Sequence, residues 1–135
     1  MDVAVRWLEV GESDDPRWHA TRVLYAYVDP DEQRILYLGL AGRGSVLDSW
    51  LRDQHDGLLE YFREIGVPGV IVLAGYVTVE GIHLTEGLLA DVESLLVRET
   101  EPPGNTALPE TTRPGLRVRC SGLWPLATVT LVDHG

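Results

Sequence analysis

Glu93 lies on a segment whose apolar residues recur at helical spacing: Leu84, Leu88, Val92, Leu95 and Leu96. It falls at the edge of that stripe, with Leu89 and Val97 one turn to either side. A carboxylate so placed is partly stripped of water and calls for a cation or for hydrogen-bond donors. A boundary glutamate that bends to solvent, or pairs with an arginine, fits the pattern too. Tyr25 and Tyr37 stand in two β-type runs, where aromatic residues also serve as simple packing. Arg52 and His55 share one face of a helix, a cation beside a proton carrier. Together these residue types suit the hydrolysis of a phosphate ester: a metal-binding carboxylate, phenols to handle water, and a cation for the developing charge.

The elements that would hold them can be read in order. A short strand at Val3 to Val10 precedes an acidic loop, Gly11 to Pro16. The runs Arg22 to Val28 and Ile35 to Leu40 flank the turn signal Asp29-Pro30-Asp31, which predicts an antiparallel hairpin. Ser45 is set to cap a helix running to about His55, and a second short helix covers Leu58 to Ile65. Val70 to Val79 reads as a buried strand, and Leu84 to about Glu99 as a long helix that Pro102 and Pro103 terminate. Two more strands are expected near Leu116 to Cys120 and Ala127 to Val132. The fold expected is α/β (α+β): a small, mainly antiparallel central sheet flanked by helices, with extra N- and C-terminal strands.

A chain of 135 residues with 44% apolar content fits one domain. No apolar run approaches the roughly 18 residues that span a bilayer, so no membrane partner is expected. Met1-Asp2-Val3 does not open a secretory signal, and the single Cys120 rules out an intramolecular disulfide, so the expected location is cytoplasmic. His19, His83 and His134 have no partner at metal-ligand spacing. Twenty-one acidic residues against eleven basic ones give a formal charge of −10, and every basic residue is arginine. Nucleic-acid affinity comes largely from neutralised phosphates, so this balance weakens DNA binding unless arginines gather locally or a metal bridges. Arg113, Arg117 and Arg119 form the basic cluster, and strand alternation puts the latter two on one face. That face either meets phosphate or, more simply, pairs with nearby acids.

Placed on these elements, the residues resemble the GIY-YIG nuclease superfamily. Val23-Leu24-Tyr25 and Tyr37-Leu38-Gly39 stand where its two hairpin motifs would be, and Glu93, Pro102 and Asn105 match its later glutamate, proline and asparagine. The likeness covers about residues 22–105 of a single domain spanning 1–135, leaving an N-terminal extension, 1–21, and a C-terminal one, 106–135. The resemblance implies a metal-dependent DNA endonuclease. Glu93 would hold one Mg²⁺ or Mn²⁺ ion, and Tyr25 or Tyr37 would position or deprotonate water. Arg52 and His55 would steady the phosphate, with Gly39, Arg43 and Asn105 beside the substrate.

The pattern departs from the family in one place. The family sets its arginine one full turn before the histidine or tyrosine, but here Leu51 holds that position and Arg52 follows it. The first motif keeps only its tyrosine. These departures and the acidic charge leave an alternative: a catalytically degenerate module acting as an acidic protein-interaction domain. For a nuclease, target specificity would come from a protein partner, from the N- and C-terminal extensions, or from neither.

Overall fold

The computed structural model describes residues 1–109 and 113–134. It is an α+β domain with one curled, mixed six-stranded sheet and three α-helices. In chain order these are β1 (Asp2–Val10), β2 (Val23–Asp29), β3 (Arg34–Ala41), α1 (Val46–His55), α2 (Leu58–Glu64), β4 (Ile71–Val79), α3 (Glu86–Thr100), β5 (Arg117–Gly122) and β6 (Thr130–Val132). A 3₁₀ turn at Pro16–His19 follows β1. Across the sheet the order is β3-β2-β4-β1-β5-β6. Only β1 and β5 run parallel; the other described pairs are antiparallel.

The hairpin β2–β3 forms as its turn chemistry predicts, and the first strand is not peripheral to the sheet. β1 sits between β4 and β5, with Val5 opposite Val77 on one side and Cys120 on the other. Val3, Val5 and Trp7 alternate inward and are buried, which sets that register: a slip of one residue would turn Trp7 to water. β2 is buried at every position because helices cover it on both faces, which accounts for its unbroken apolar run.

On one face, α3 lays Leu88, Leu89, Val92, Leu95 and Leu96 against Leu24, Ala26, Val28 and Leu38. On the other, Val46 of α1 and Phe62 of α2 pack with Tyr25, Tyr27 and Leu36. Local capping fixes where these helices start. Ser45 Oγ accepts from Asp48 N at 3.1 Å while Asp48 Oδ2 accepts from Ser45 N at 2.9 Å, a capping box. Thr85 Oγ1 accepts from Leu88 N at 3.0 Å, so α3 begins at Glu86, a turn's fraction later than the leucine pattern suggests. It ends at Glu101, in left-handed backbone ahead of Pro102. The last strand is shorter than expected, Thr130–Val132, because Leu126 and Trp124 turn into the core before it. Among the described residues no helix is long and apolar enough to cross a membrane.

Candidate active site

In the hairpin register Tyr25 faces Gly39 and Tyr27 faces Tyr37, so the three phenols share one face. A bulge after Tyr27 makes Leu36 the extra residue and turns it to the same side. Gly39 has a steric reason to be glycine. A Cβ there would stand 2.3 Å from Tyr25 Cζ, so the ring lies flat over the bare backbone. The ring centroids of Tyr27 and Tyr37 are 5.7 Å apart and stacked; Tyr25 and Tyr37 are 6.0 Å apart.

The residue that organises these phenols is Asp53, on the inward face of α1 with Val46 and Ser49. Its Oδ2 accepts from the Tyr27 hydroxyl at 2.6 Å and from the Tyr25 hydroxyl at 3.0 Å. Arg52, beside it, donates from NH2 to the Tyr25 oxygen at 3.1 Å and sets Nε 3.5 Å from Asp53 Oδ1. A buried carboxylate needs such partners, and two phenols with a guanidinium supply them. Burial pushes the Tyr25 and Tyr27 hydroxyls far above their ordinary range, for Tyr25 with help from Tyr37 and Asp53 and for Tyr27 from the bond to Asp53. Both are fixed as hydrogen-bond donors. Tyr37 is only half-buried; burial raises its hydroxyl first, then the charge of Asp53, with Glu93 adding and Arg52 opposing.

Glu93 comes from α3, on the opposite face of the sheet, yet its charge acts on Tyr37. Tyr37 stands on β3, the edge strand, and α3 packs against that strand, so the Glu93 charge is felt at the phenol from the other face. Burial holds the Glu93 carboxyl above its ordinary value. It has no hydrogen-bond or ion-pair partner among the described residues. The edge itself is closed by the segment after α3. Gly104 N donates to Leu36 O at 2.7 Å. Asn105 exchanges two bonds with the Leu38 backbone, at 3.0 and 2.9 Å. A bare edge strand is thereby given partners. Next to this edge a cleft of about 540 Å³ opens, lined by Tyr37, Asp53, Gly57, Tyr61 and Gly104 among others.

No family model matches this chain, and no curated protein or solved structure does. The geometry alone therefore sorts the expected residues. Tyr25, Tyr37 and Arg52 come together, Gly39 and Asn105 shape the strand under them, and Glu93 stays on α3 across the sheet, linked to Tyr37 by its charge. His55 is not brought in: its side chain is 89% exposed and its ring lies 3.4 Å from Asp56. Arg43 is equally exposed, 3.8 Å from Glu86. On α1, Leu51 and His55 lie one turn apart and both face solvent. Position 53 takes the inward place on α1, so Arg52 flanks it and position 55 turns to water.

Asp53 escaped the reading of the sequence. The signal was present, since it falls seven residues after Val46 on the same stripe, and a carboxylate there needs partners just as Glu93 does. Among the described residues no three His, Cys, Asp or Glu side chains gather as a metal cage. A divalent ion at Glu93 would take one protein carboxylate and complete its shell with water and phosphate oxygens, which suits Mg²⁺. The unpartnered, desolvated carboxylate fits that ion.

Proposed function

We propose that this chain is a divalent-metal-dependent DNA endonuclease of the GIY-YIG type. The observation that carries the reading is the Arg52–Tyr25–Asp53 array under the hairpin, with Tyr37 beside it on the cleft. Glu93, without a hydrogen-bond or ion-pair partner among the described residues, acts on Tyr37 from across the sheet through its charge. When bound, the ion would polarise a phosphate oxygen and the leaving group. Arg52 supplies the positive charge for the phosphate, and its bond to Tyr25 fixes its direction. Asp53 keeps Tyr25 and Tyr27 protonated, so neither accepts a proton from water. Tyr37, the most open of the three phenols, has its hydroxyl raised as well and stays a phenol; that hydroxyl orients the attacking water by hydrogen bonding, and the water's proton leaves to solvent through the cleft that Tyr37 lines. The reading sets the protein in the cytoplasm, with target choice left to a partner protein.

A nicking assay on supercoiled plasmid with Mg²⁺ or Mn²⁺ tests it. Metal-dependent relaxation, lost in Glu93→Ala and reduced by Tyr37→Phe, is the expected result. Absence of cleavage on single-stranded, duplex and branched DNA in both metals would overturn it.

One observation favours the alternative of a degenerate, acidic interaction module. Asp53 places a buried negative charge at the phenols, close to where a phosphate would sit. Titration calorimetry with Mn²⁺ separates the two readings: the degenerate module binds no ion at Glu93, whereas the nuclease binds one.

A further inference from the structure

The face of the sheet that carries the phenols continues beyond the cover of α1 and α2. On β1, Asp2, Ala4 and Arg6 face this side, all exposed. Ala4 is flanked in register by Thr78 of β4 and Arg119 of β5, and Arg6 by Tyr76 of β4. Arg117 follows two residues before Arg119 on the same side, exposed as well. Three of the eleven arginines of a chain with formal charge −10 thus stand on one uncovered patch of sheet. Arg6 and Arg119 have no ion-pair partner among the described residues, and Arg117 has only an exposed carboxylate, Asp2, at 3.7 Å. Such an exposed pair is worth little and yields readily to another anion. A shallow groove of about 520 Å³ runs beside Arg6, lined by Ala4, Thr78, Arg117 and Arg119, with the carboxylates Asp2 and Glu80 in the lining as well. Tyr76, half-buried, stands two residues before Thr78 on the same face of β4, in register with Arg6.

We infer that this open face binds single-stranded nucleic acid, with Arg6, Arg117 and Arg119 on successive phosphates and Tyr76 as a stacking surface for a base. A row of guanidiniums beside an aromatic ring on an exposed sheet is the chemistry that holds a single strand without reading its sequence. It also answers the charge problem, because cations gathered on one face can bind phosphate while the remaining surface stays acidic. The choice of nucleic acid over other polyanions rests on the phosphodiester reading of the tyrosine site. The binding itself does not need cleavage.

Fluorescence anisotropy of a labelled single-stranded oligonucleotide, in EDTA to prevent turnover, tests the inference with the full chain. The wild-type protein should bind at low ionic strength, with a log–log salt slope of about −2 for three neutralised phosphates. A triple Arg6→Ala, Arg117→Ala, Arg119→Ala variant should weaken binding by roughly tenfold or more and flatten that slope. Tyr76→Leu keeps the inner packing, removes the π surface and should weaken binding several-fold; thermal unfolding of each variant guards against misfolding. Unchanged affinity in the triple variant would overturn the inference. So would a polyglutamate peptide that competes as well as the oligonucleotide while Tyr76→Leu binds normally, since that marks the patch as an acidic-peptide site. If no variant or wild type cleaves DNA but arginine-dependent binding persists, only the nuclease reading falls.

Discussion

The Tyr27 hydroxyl meets the Asp53 carboxylate at 2.6 Å in the interior, and the Tyr25 hydroxyl shares the same oxygen. A single carboxylate therefore ties both tyrosines of β2 to α1. Removing it strands two buried donors, and each such loss costs about 1–3 kcal/mol. Asp53→Ala should accordingly destabilise the fold by about 2–4 kcal/mol in urea unfolding, and Tyr27→Phe by about 1 kcal/mol. In a double-mutant cycle the two should be strongly non-additive. An Asp53→Ala protein as stable as the parent would show that the phenols find other partners.

Asn105 and Leu38 make a second such tie, with both backbone groups of Leu38 taken by one side-chain amide. Asn105→Ala leaves an edge strand without that closure. The expected cost is about 1–2 kcal/mol, with faster hydrogen exchange at the Leu38 amide than at residues of β1. Exchange at Leu38 unchanged by the substitution would remove Asn105 from this bracing role.

The elements legible in the residues were those whose causes are local. The strand expected over Arg22 to Val28 stands at Val23–Asp29, Ser45 caps α1, and the leucine stripe forms α3, two residues later than Leu84, because each acts through neighbours a few positions apart. The place of β1 was not legible, because its partners Val77 and Val118 lie far along the chain and no pairing signal is written near Val5 or Val3. At the site, the convergence of Tyr25, Tyr37 and Arg52 follows from the hairpin register and the length of a guanidinium. The inward face of α1 is set by Val46, Ser49 and Asp53, which puts Asp53 under the phenols and leaves Leu51 and His55 in water; a carboxylate on a packing face carries no sign in the sequence of which hydroxyls it will meet.

Gly39 offers a test of the hairpin face that does not depend on chemistry. A methyl group there would press on Tyr25 Cζ at 2.3 Å, and the ring cannot yield while Asp53 and Arg52 hold its hydroxyl. Gly39→Ala should cost about 1–3 kcal/mol, as overpacking does, and should disturb the near-ultraviolet tyrosine dichroism. Pairing it with Tyr25→Leu should restore part of the stability. Failure of that rescue would mean that the strain falls elsewhere than on the ring.

Glu93 gives the prediction with a definite sign in pH. Burial raises its carboxyl above the ordinary 4.5, so the folded protein holds this proton more tightly than the unfolded chain does. Stability from this group is fully present below the unfolded value and is lost as pH rises through the folded one. At neutral pH, therefore, Glu93→Gln should be more stable than wild type, and the advantage should vanish as the medium is acidified into the ordinary carboxylate range. A divalent cation changes the balance, because it favours the charged form. Mn²⁺ should raise the melting temperature of the wild type, leave that of Glu93→Gln unmoved, and shift the acid limb of any cleavage to lower pH as its concentration grows. Calorimetric melting at several pH values, with and without Mn²⁺, reads all three effects. If Glu93→Gln proves less stable than the parent at neutral pH without metal, the carboxylate is already satisfied within the fold, and it is not the group that awaits an ion.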